Sequence, residues 1–313
     1  MTRTTVIVTD PGQDQAAAIF AALAAPDEFD VVAVIASAGN IDLDQTVVNC
    51  LALLELAGRP DIPVFAGCPR PLARPLVTAE HVHGPTGLDG ADLPAPTIAV
   101  QSEHGVDALI RILRAADETS VTILSLSPLT TIATAFVQDP SIVTKIERIV
   151  AMAGAYFEGG NITPAAEFNV YVDPHAAAIV FDSGAPLVVL PLDVTHKMLS
   201  TRERLDGFSA TGTACGQAID GMLTFSESFD LQKYGWHGAP LHGPCVPLYV
   251  LHPEMFSGRE VSIRVETVSE VAMGTTSVDW WHVTDEPVNA FYVADGDADA
   301  FYRVLTDLYA RLP

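Results

Sequence analysis

Short runs of aliphatic and β-branched residues alternate along the chain with stretches whose apolar positions recur every three or four residues. "TTVIVTD" reads as a strand, and a helical pattern follows from Asp14 to Ala24. "FDVVAVIASAG" is the next strand and "LDQTVVNCLALLELAG" the next helix. "IPVFAG", "SVTILSLS", "RIVAMAGA" and "PLVVLPLDVT" read as further strands. "VDALIRILRAA", "LTTIATAFVQD" and "DPHAAAIVFDSG" read as the helices among them. Strands that are apolar throughout, separated by helices, predict a mostly parallel, doubly wound open sheet covered on both faces, the α/β class. The last third is less regular. It predicts helices at "TACGQAIDGMLTFSESFD" and "PCVPLYVLHP", an antiparallel pair from "EVSIRVETVS" and "SVDWWHV", and a closing helix "ADAFYRVLTDLYARL". No repeat or linker divides the chain, so residues 1–313 are expected to form one domain with a small C-terminal antiparallel and helical portion.

Composition narrows the partners. The formal net charge is −23, from 39 acidic and 16 basic residues, which repels nucleic-acid phosphates and anionic membranes. Four widely spaced cysteines without a CxxC pair suit reduced thiols. The chain enters a strand almost at once, without a signal-peptide pattern or a membrane-length apolar run, so a cytoplasmic protein is expected.

In open parallel sheets, ligands bind beyond the carboxyl ends of the strands. The polar residues there are Asp10 and Asp14, Asn40, Ser125 and Ser127, the segment carrying Asn161, Glu167 and Asn169, and Asp193 with His196. Asp and Asn also cap helices, and Asp14 alone is open to that reading. Together, amides and carboxylates without lysine or arginine suit hydroxyl groups better than phosphates. No GxGxxG or GxxxxGK[ST] turn is present, so a sugar is favoured over a nucleotide cofactor. His81 and His83 fall on a Gly/Pro-rich loop and are expected to be solvated. His242 precedes a helix that Pro244 can begin, and is expected to donate a proton near neutral pH.

Seven stretches in order resemble the inosine–uridine-preferring nucleoside hydrolase family. "VTDPGQDQAAAI" resembles its D-x-D-P-G-x-D-D opening, followed by "SAGN", "HVHGPTGL", "SPLTTIATA", "MAGAYFEGGNITPAAEFNVYVDPHAA", "LDVTHK" and "HGPCVPLYVL". The resemblance implies a hydrolase of the N-glycosidic bond of a ribonucleoside, acting through an oxocarbenium-like sugar. It implies Asp10 as the base on water and His242 as the group assisting the leaving base. Asp14, Asn40, Asn161, Glu167 and Asn169 would bind ribose hydroxyls. Base contacts would come from the loop at His83 and the helix around Phe225 to Trp236. It also implies a homodimer or homotetramer, and a calcium ion at the strand ends.

The calcium ligands are where this sequence departs. Val8 stands at the first motif aspartate, Gln15 at a calcium-binding aspartate, and Gly243 at the aspartate after the histidine. Asp10, an oxygen of Gln15 and the carbonyl of Leu126 are what remain. Calcium takes six to eight oxygens and depends on ligand charge, so the expected cofactor is none, or weakly bound calcium. Three readings follow: a glycosyl hydrolase with a weak metal or none, a non-catalytic ribose-binding module, or a hydrolase whose substrate brings a cationic group to the calcium position.

Overall fold

The computed structural model describes residues 2–313, Asp230 by its backbone alone. Its strands are β1 (Arg3–Thr9), β2 (Phe29–Ala36), β3 (Val64–Ala66), β4 (Val121–Ser125), β5 (Ile146–Met152), β6 (Leu187–Leu190), β7 (Leu199–Ser200), β8 (Ala239–Pro240), β9 (Phe256–Val261), β10 (Ile263–Val265), β11 (Thr276–Val278) and β12 (Ala290–Gly296). Eight form one sheet in the order β3-β2-β1-β4-β5-β6-β12-β9. Every pairing in it is parallel except β12 with β9. The predicted doubly wound α/β sheet is therefore present. The chain runs outward from β1 to β3, then crosses back to begin β4 on the other side of β1. The carboxyl ends of β1 and β4 thus form the topological switch point, where such sheets open a crevice.

Alternation along the strands builds two cores. Ile7, Val34, Leu124 and Val150 face one side, while Val6, Val8, Ile35, Ile123 and Ile149 face the other. On the first side lies α1 (Gln13–Leu23), buried along its whole length. Its alanines let neighbouring helices approach closely, and the Tyr309 hydroxyl donates to the Ala17 carbonyl at 2.9 Å. Helices Gly105–Ala115, Thr130–Gln138 and Pro174–Phe181 cover the second side.

Two elements differ from the sequence expectation. "PLVVLPLDVT" is strand only to Leu190, and a short helix, Leu192–Thr195, follows. Pro191 has no N–H for the ladder and begins that turn instead. The predicted pair is β10 with β11, but β9 and β12 extend the main sheet rather than an appendage. The closing helix runs from Ala298 to Tyr309. All four cysteines are free thiols. No helix among the described residues is long and apolar enough to cross a membrane.

Asp173 ties the second side together. It caps helix Pro174–Phe181 through the Ala176 N–H at 3.0 Å, and accepts from the Leu72 N–H and the Thr130 hydroxyl at 2.8 Å each. Asp173→Ala leaves these donors buried and unpaired, and is expected to lower stability by about 3 kcal/mol in urea unfolding. A loss within error of zero would refute the assignment.

Candidate active site

A single cavity opens over the carboxyl ends of the strands. Asp14, Gln15, Asn40, His83, Asn161, Glu167, Asn169 and His242 all line it. The segments that bring them together lie more than 200 residues apart in sequence. Asp14 sits in the first turn of α1, whose N-cap is Gly12, so the capping reading of Asp14 does not apply. Its Oδ2 instead accepts from the Gly243 N–H at 2.9 Å. Glu167 caps helix Phe168–Val172, accepting from the Asn169 N–H at 2.8 Å, the Val170 N–H at 3.3 Å and the Gly154 N–H at 3.0 Å.

The amide side chains have their ends fixed by main-chain groups. Asn40 donates through Nδ2 to the Asp10 carbonyl at 3.1 Å, and Asn169 through Nδ2 to the Met152 carbonyl at 3.0 Å. Their Oδ1 atoms are left as acceptors. Asn161 is reversed: its Oδ1 accepts from the Phe168 N–H at 2.9 Å, leaving Nδ2 as a donor. A carbonyl cannot donate and an N–H cannot accept, so these orientations are determined rather than arbitrary. Acceptors, donors and carboxylates interleaved on one wall match groups that both give and take hydrogen bonds.

Asp10 lies elsewhere. It is fully buried and is not on the cavity wall; its Oδ2 accepts from the Asn40 N–H at 2.9 Å. Its Oδ1 has no partner among the described residues. Leu126 is likewise buried away from the wall. Asp193 serves the fold, accepting the Tyr156 N–H at 2.9 Å and the Tyr292 hydroxyl at 2.7 Å. His83 corrects the expectation of a solvated loop. It stands half-buried on a one-turn helix, Glu80–His83, with Nδ1 2.6 Å from the Gln13 Oε1.

Burial dominates the ionisation of these groups. It raises Asp10 well above the usual carboxylate range, with the charges of Asp14 and Glu167 adding to the effect. It raises Asp14 to about 6 and Glu167 to about 7 against the N–H bonds that oppose it. Burial lowers His83 to about 4, and takes His242 well below its ordinary value, helped by His196 and His83. Burial therefore opposes protonation of His242, expected as a proton donor, and its Nδ1 lies 2.7 Å from the Thr195 hydroxyl.

The calcium ion implied by the sequence resemblance was tested against this donor set. The orphaned Asp10 Oδ1 favours a cation. The rest does not. Gln15 Oε1 already accepts from the Gly12 N–H and from Asn40 Nδ2, each at 3.1 Å, so the free end of its amide is Nε2, a donor. A Cβ on Gly243 would sit 2.7 Å from the Asp14 carbonyl oxygen, so the main chain occupies the space a ligand side chain would need. Among the described residues no group of three or more His, Cys, Asp or Glu is arranged to hold a metal. These residues do not fit a calcium site of that type.

Lys233, Tyr234, Phe229 and Ser200 also line the cavity. The first three lie on the helix Ala214–Tyr234, within the Phe225–Trp236 stretch that the family resemblance points to, but no signal in the sequence marks Ser200.

A switch-point cavity lined by carboxylates and fixed amide ends marks the chain as an α/β protein with a polar small-molecule pocket. A sequence model described as inosine-uridine preferring nucleoside hydrolase matches residues 5–303, and the chain belongs to that family of N-glycosyl hydrolases. It is 44% identical over 308 residues to an uncharacterized protein of Schizosaccharomyces pombe, covering 98% of this chain and 99% of that one. It is also 44% identical over 299 residues to the pyrimidine-specific ribonucleoside hydrolase RihA of Escherichia coli K12, covering 95% of each. The solved structure of a plant nucleoside hydrolase, PpNRh1, superposes with a TM-score of 0.91 at 30% identity, covering 99% of both chains.

A carboxyl group with a raised folded-state pKa stabilises the fold fully below its unfolded value and loses that contribution as pH climbs through the folded value. For Glu167 the window runs from its ordinary 4.5 to about 7. His83 works oppositely: its contribution is whole above 6.5 and is lost as pH falls toward about 4. In Glu167→Gln the first slope disappears. The stability difference, variant minus wild type, should therefore rise by about 3 kcal/mol from pH 4.5 to 7.5 in urea titrations. Parallel pH–stability curves would refute the raised value.

Proposed function

We propose that the chain hydrolyses the N-glycosidic bond of a ribonucleoside, with pyrimidine nucleosides the first candidates, and that it does so without a tightly bound calcium ion. The observation that carries this is the set of main-chain-fixed acceptors and donors at Asn40, Asn161 and Asn169, sharing one cavity with Asp14 and Glu167. Such a set pairs with ribose hydroxyls, which both donate and accept. Pyrimidine preference is drawn from the name of the RihA relative. The reading takes residues 1–313 as one domain, supported by a sheet that draws strands from Arg3–Thr9 to Ala290–Gly296.

In this reading the C1′–N bond breaks with its electron pair going to the base, and positive charge spreads over C1′ and the ring oxygen. Buried carboxylates near that ring stabilise the charge as it develops. Water attacks C1′, and a carboxylate takes its proton. Asp10 is the base in the family-type assignment, through an Oδ1 that has no hydrogen-bond partner among the described residues; that atom is buried behind the wall, so the role requires water to reach it. His242, neutral in the free protein, hydrogen-bonds the departing base through Nε2–H while Thr195 donates to Nδ1; the base finally gains the proton that water loses. One observation favours a second assignment of the base: Asp14, unlike Asp10, is on the cavity wall.

Uridine, cytidine and inosine incubated with the protein in EDTA should release ribose, measured as reducing sugar. Asp10→Asn should lower kcat by at least about 100-fold, with folding verified by circular dichroism. If Asp14→Asn loses kcat and Asp10→Asn does not, Asp14 is the base. Release that stops in EDTA and returns with calcium would overturn the metal-free reading. No release from any nucleoside, with or without divalent ions, would overturn the function.

A further inference from the structure

Gln13 is fully buried at the start of α1, and its side chain spans the gap to the His83 loop. Both hydrogens of its Nε2 are committed to main-chain carbonyls, that of His83 at 2.9 Å and that of Asp89 at 3.2 Å. A carbonyl only accepts, so the nitrogen end of the amide is identified without choice. Oε1 then lies 2.6 Å from His83 Nδ1. An amide oxygen only accepts, so Nδ1 must carry the hydrogen. The ring is held against Gly12, where a Cβ would stand 2.6 Å from Nδ1 and displace it. The remaining ring nitrogen, Nε2, has no protein partner among the described residues, and His83 is on the cavity wall.

We infer that Gln13 is a positioning residue that locks His83 as the Nδ1–H tautomer, so that the Nε2 lone pair reads a hydrogen-bond donor on the substrate. One neighbouring group acts on the ring electrostatically: His81 disfavours its protonation; His83 in turn disfavours that of His242. Burial keeps the ring neutral near pH 7, so Nε2 accepts there. The aromatic side of the cavity adjoins this loop, with the His81 and Phe229 rings 5.4 Å apart, which favours an N–H of the base over a sugar hydroxyl as the donor. The specificity half of this inference rests on the proposed nucleosidase reading; the tautomer half does not.

The two halves are tested separately on the full-length protein. Long-range ¹H–¹⁵N spectra give each imidazole's tautomer, and the signals that vanish in His83→Asn identify His83. Wild type should show a protonated Nδ1 and a bare Nε2. Gln13→Met, close in volume but unable to accept, should move the population toward Nε2–H, the form free imidazoles prefer. Gln13→Glu, which restores an acceptor, should return it to Nδ1–H. A wild-type ring already in the Nε2–H form, or a tautomer unmoved in Gln13→Met, overturns the inference whatever the activity. For specificity, kcat/KM is compared for uridine, N3-methyluridine and 5′-deoxyuridine. Loss of the donor read by Nε2 should lower kcat/KM at least tenfold in wild type and by less than threefold in Gln13→Met. An effect confined to N3-methyluridine assigns the donor to the base; one confined to 5′-deoxyuridine assigns it to the sugar. If uridine is turned over and neither analogue is impaired, Nε2 reads no donor on either. If no nucleoside is turned over, the functional reading fails while the spectra still decide the tautomer.

Discussion

The buried carboxylates at the strand ends are held by main-chain N–H groups. Asn40 supplies one to Asp10, Gly243 one to Asp14, and Gly154, Asn169 and Val170 supply three to Glu167. An anion taken out of water costs several kcal/mol unless it is paired or hydrogen-bonded. A peptide donor offsets part of that without bringing a counter-charge or a long, mobile side chain. The consequence is geometric. Asn169 and Val170 are local to Glu167, but Asn40, Gly154 and Gly243 come from three distant segments, so the acids can be placed only when β1, the turn after β2, the loop after β5 and the turn before Cys245 have all docked. The cavity is therefore a product of the whole sheet and not of any one motif.

That dependence explains what could be read in the sequence. Local chemistry was legible: apolar strands ending in Asp10, Asn40 and the Asn161–Asn169 segment predicted both the sheet and the place where polar groups gather. Asp14, Asn40, Asn161, Glu167 and Asn169 do line one cavity. What local pattern does not encode is depth and orientation. Asp10 follows β1 directly, and nothing in "VTDPGQ" says that it will be fully buried against the Asn40 N–H. Likewise "EHVHGPTG" looks like a solvent-facing loop, because the residue that hydrogen-bonds the His83 ring is Gln13, 70 positions away. The two strands missed from the main sheet fail for a similar reason. β9 is polar through Ser257–Glu260 because it is the sheet edge, and its partner β12 lies about 30 residues on.

Gln15 and Gly243 change the electrostatics as well as the ligand count. A dication beside a carboxylate lowers its pKa and acidifies bound water. With an amide and a peptide N–H in those positions, the same carboxylates meet mainly desolvation and one another, which raises their pKa values. On the proposed metal-free reading, a more basic carboxylate offsets part of the lost water acidity only where it is ionised. The two arrangements lie at opposite ends of one trade between acid and base.

The neutral donors also affect selectivity. A divalent ion attracts any pair of oxygens of suitable spacing, whereas an amide wall with fixed ends accepts only a matching order of donors and acceptors. Asn40 and Asn169 present oxygen, Asn161 and Gln15 present nitrogen, and each orientation is set by a main-chain group that cannot reverse its role. A mismatched ligand cannot be met by flipping an amide, because the flip would strand a buried peptide group at a cost of roughly 1–3 kcal/mol. On the proposed metal-free reading, discrimination among polyhydroxylated ligands rests on the direction of fixed hydrogen bonds rather than on charge.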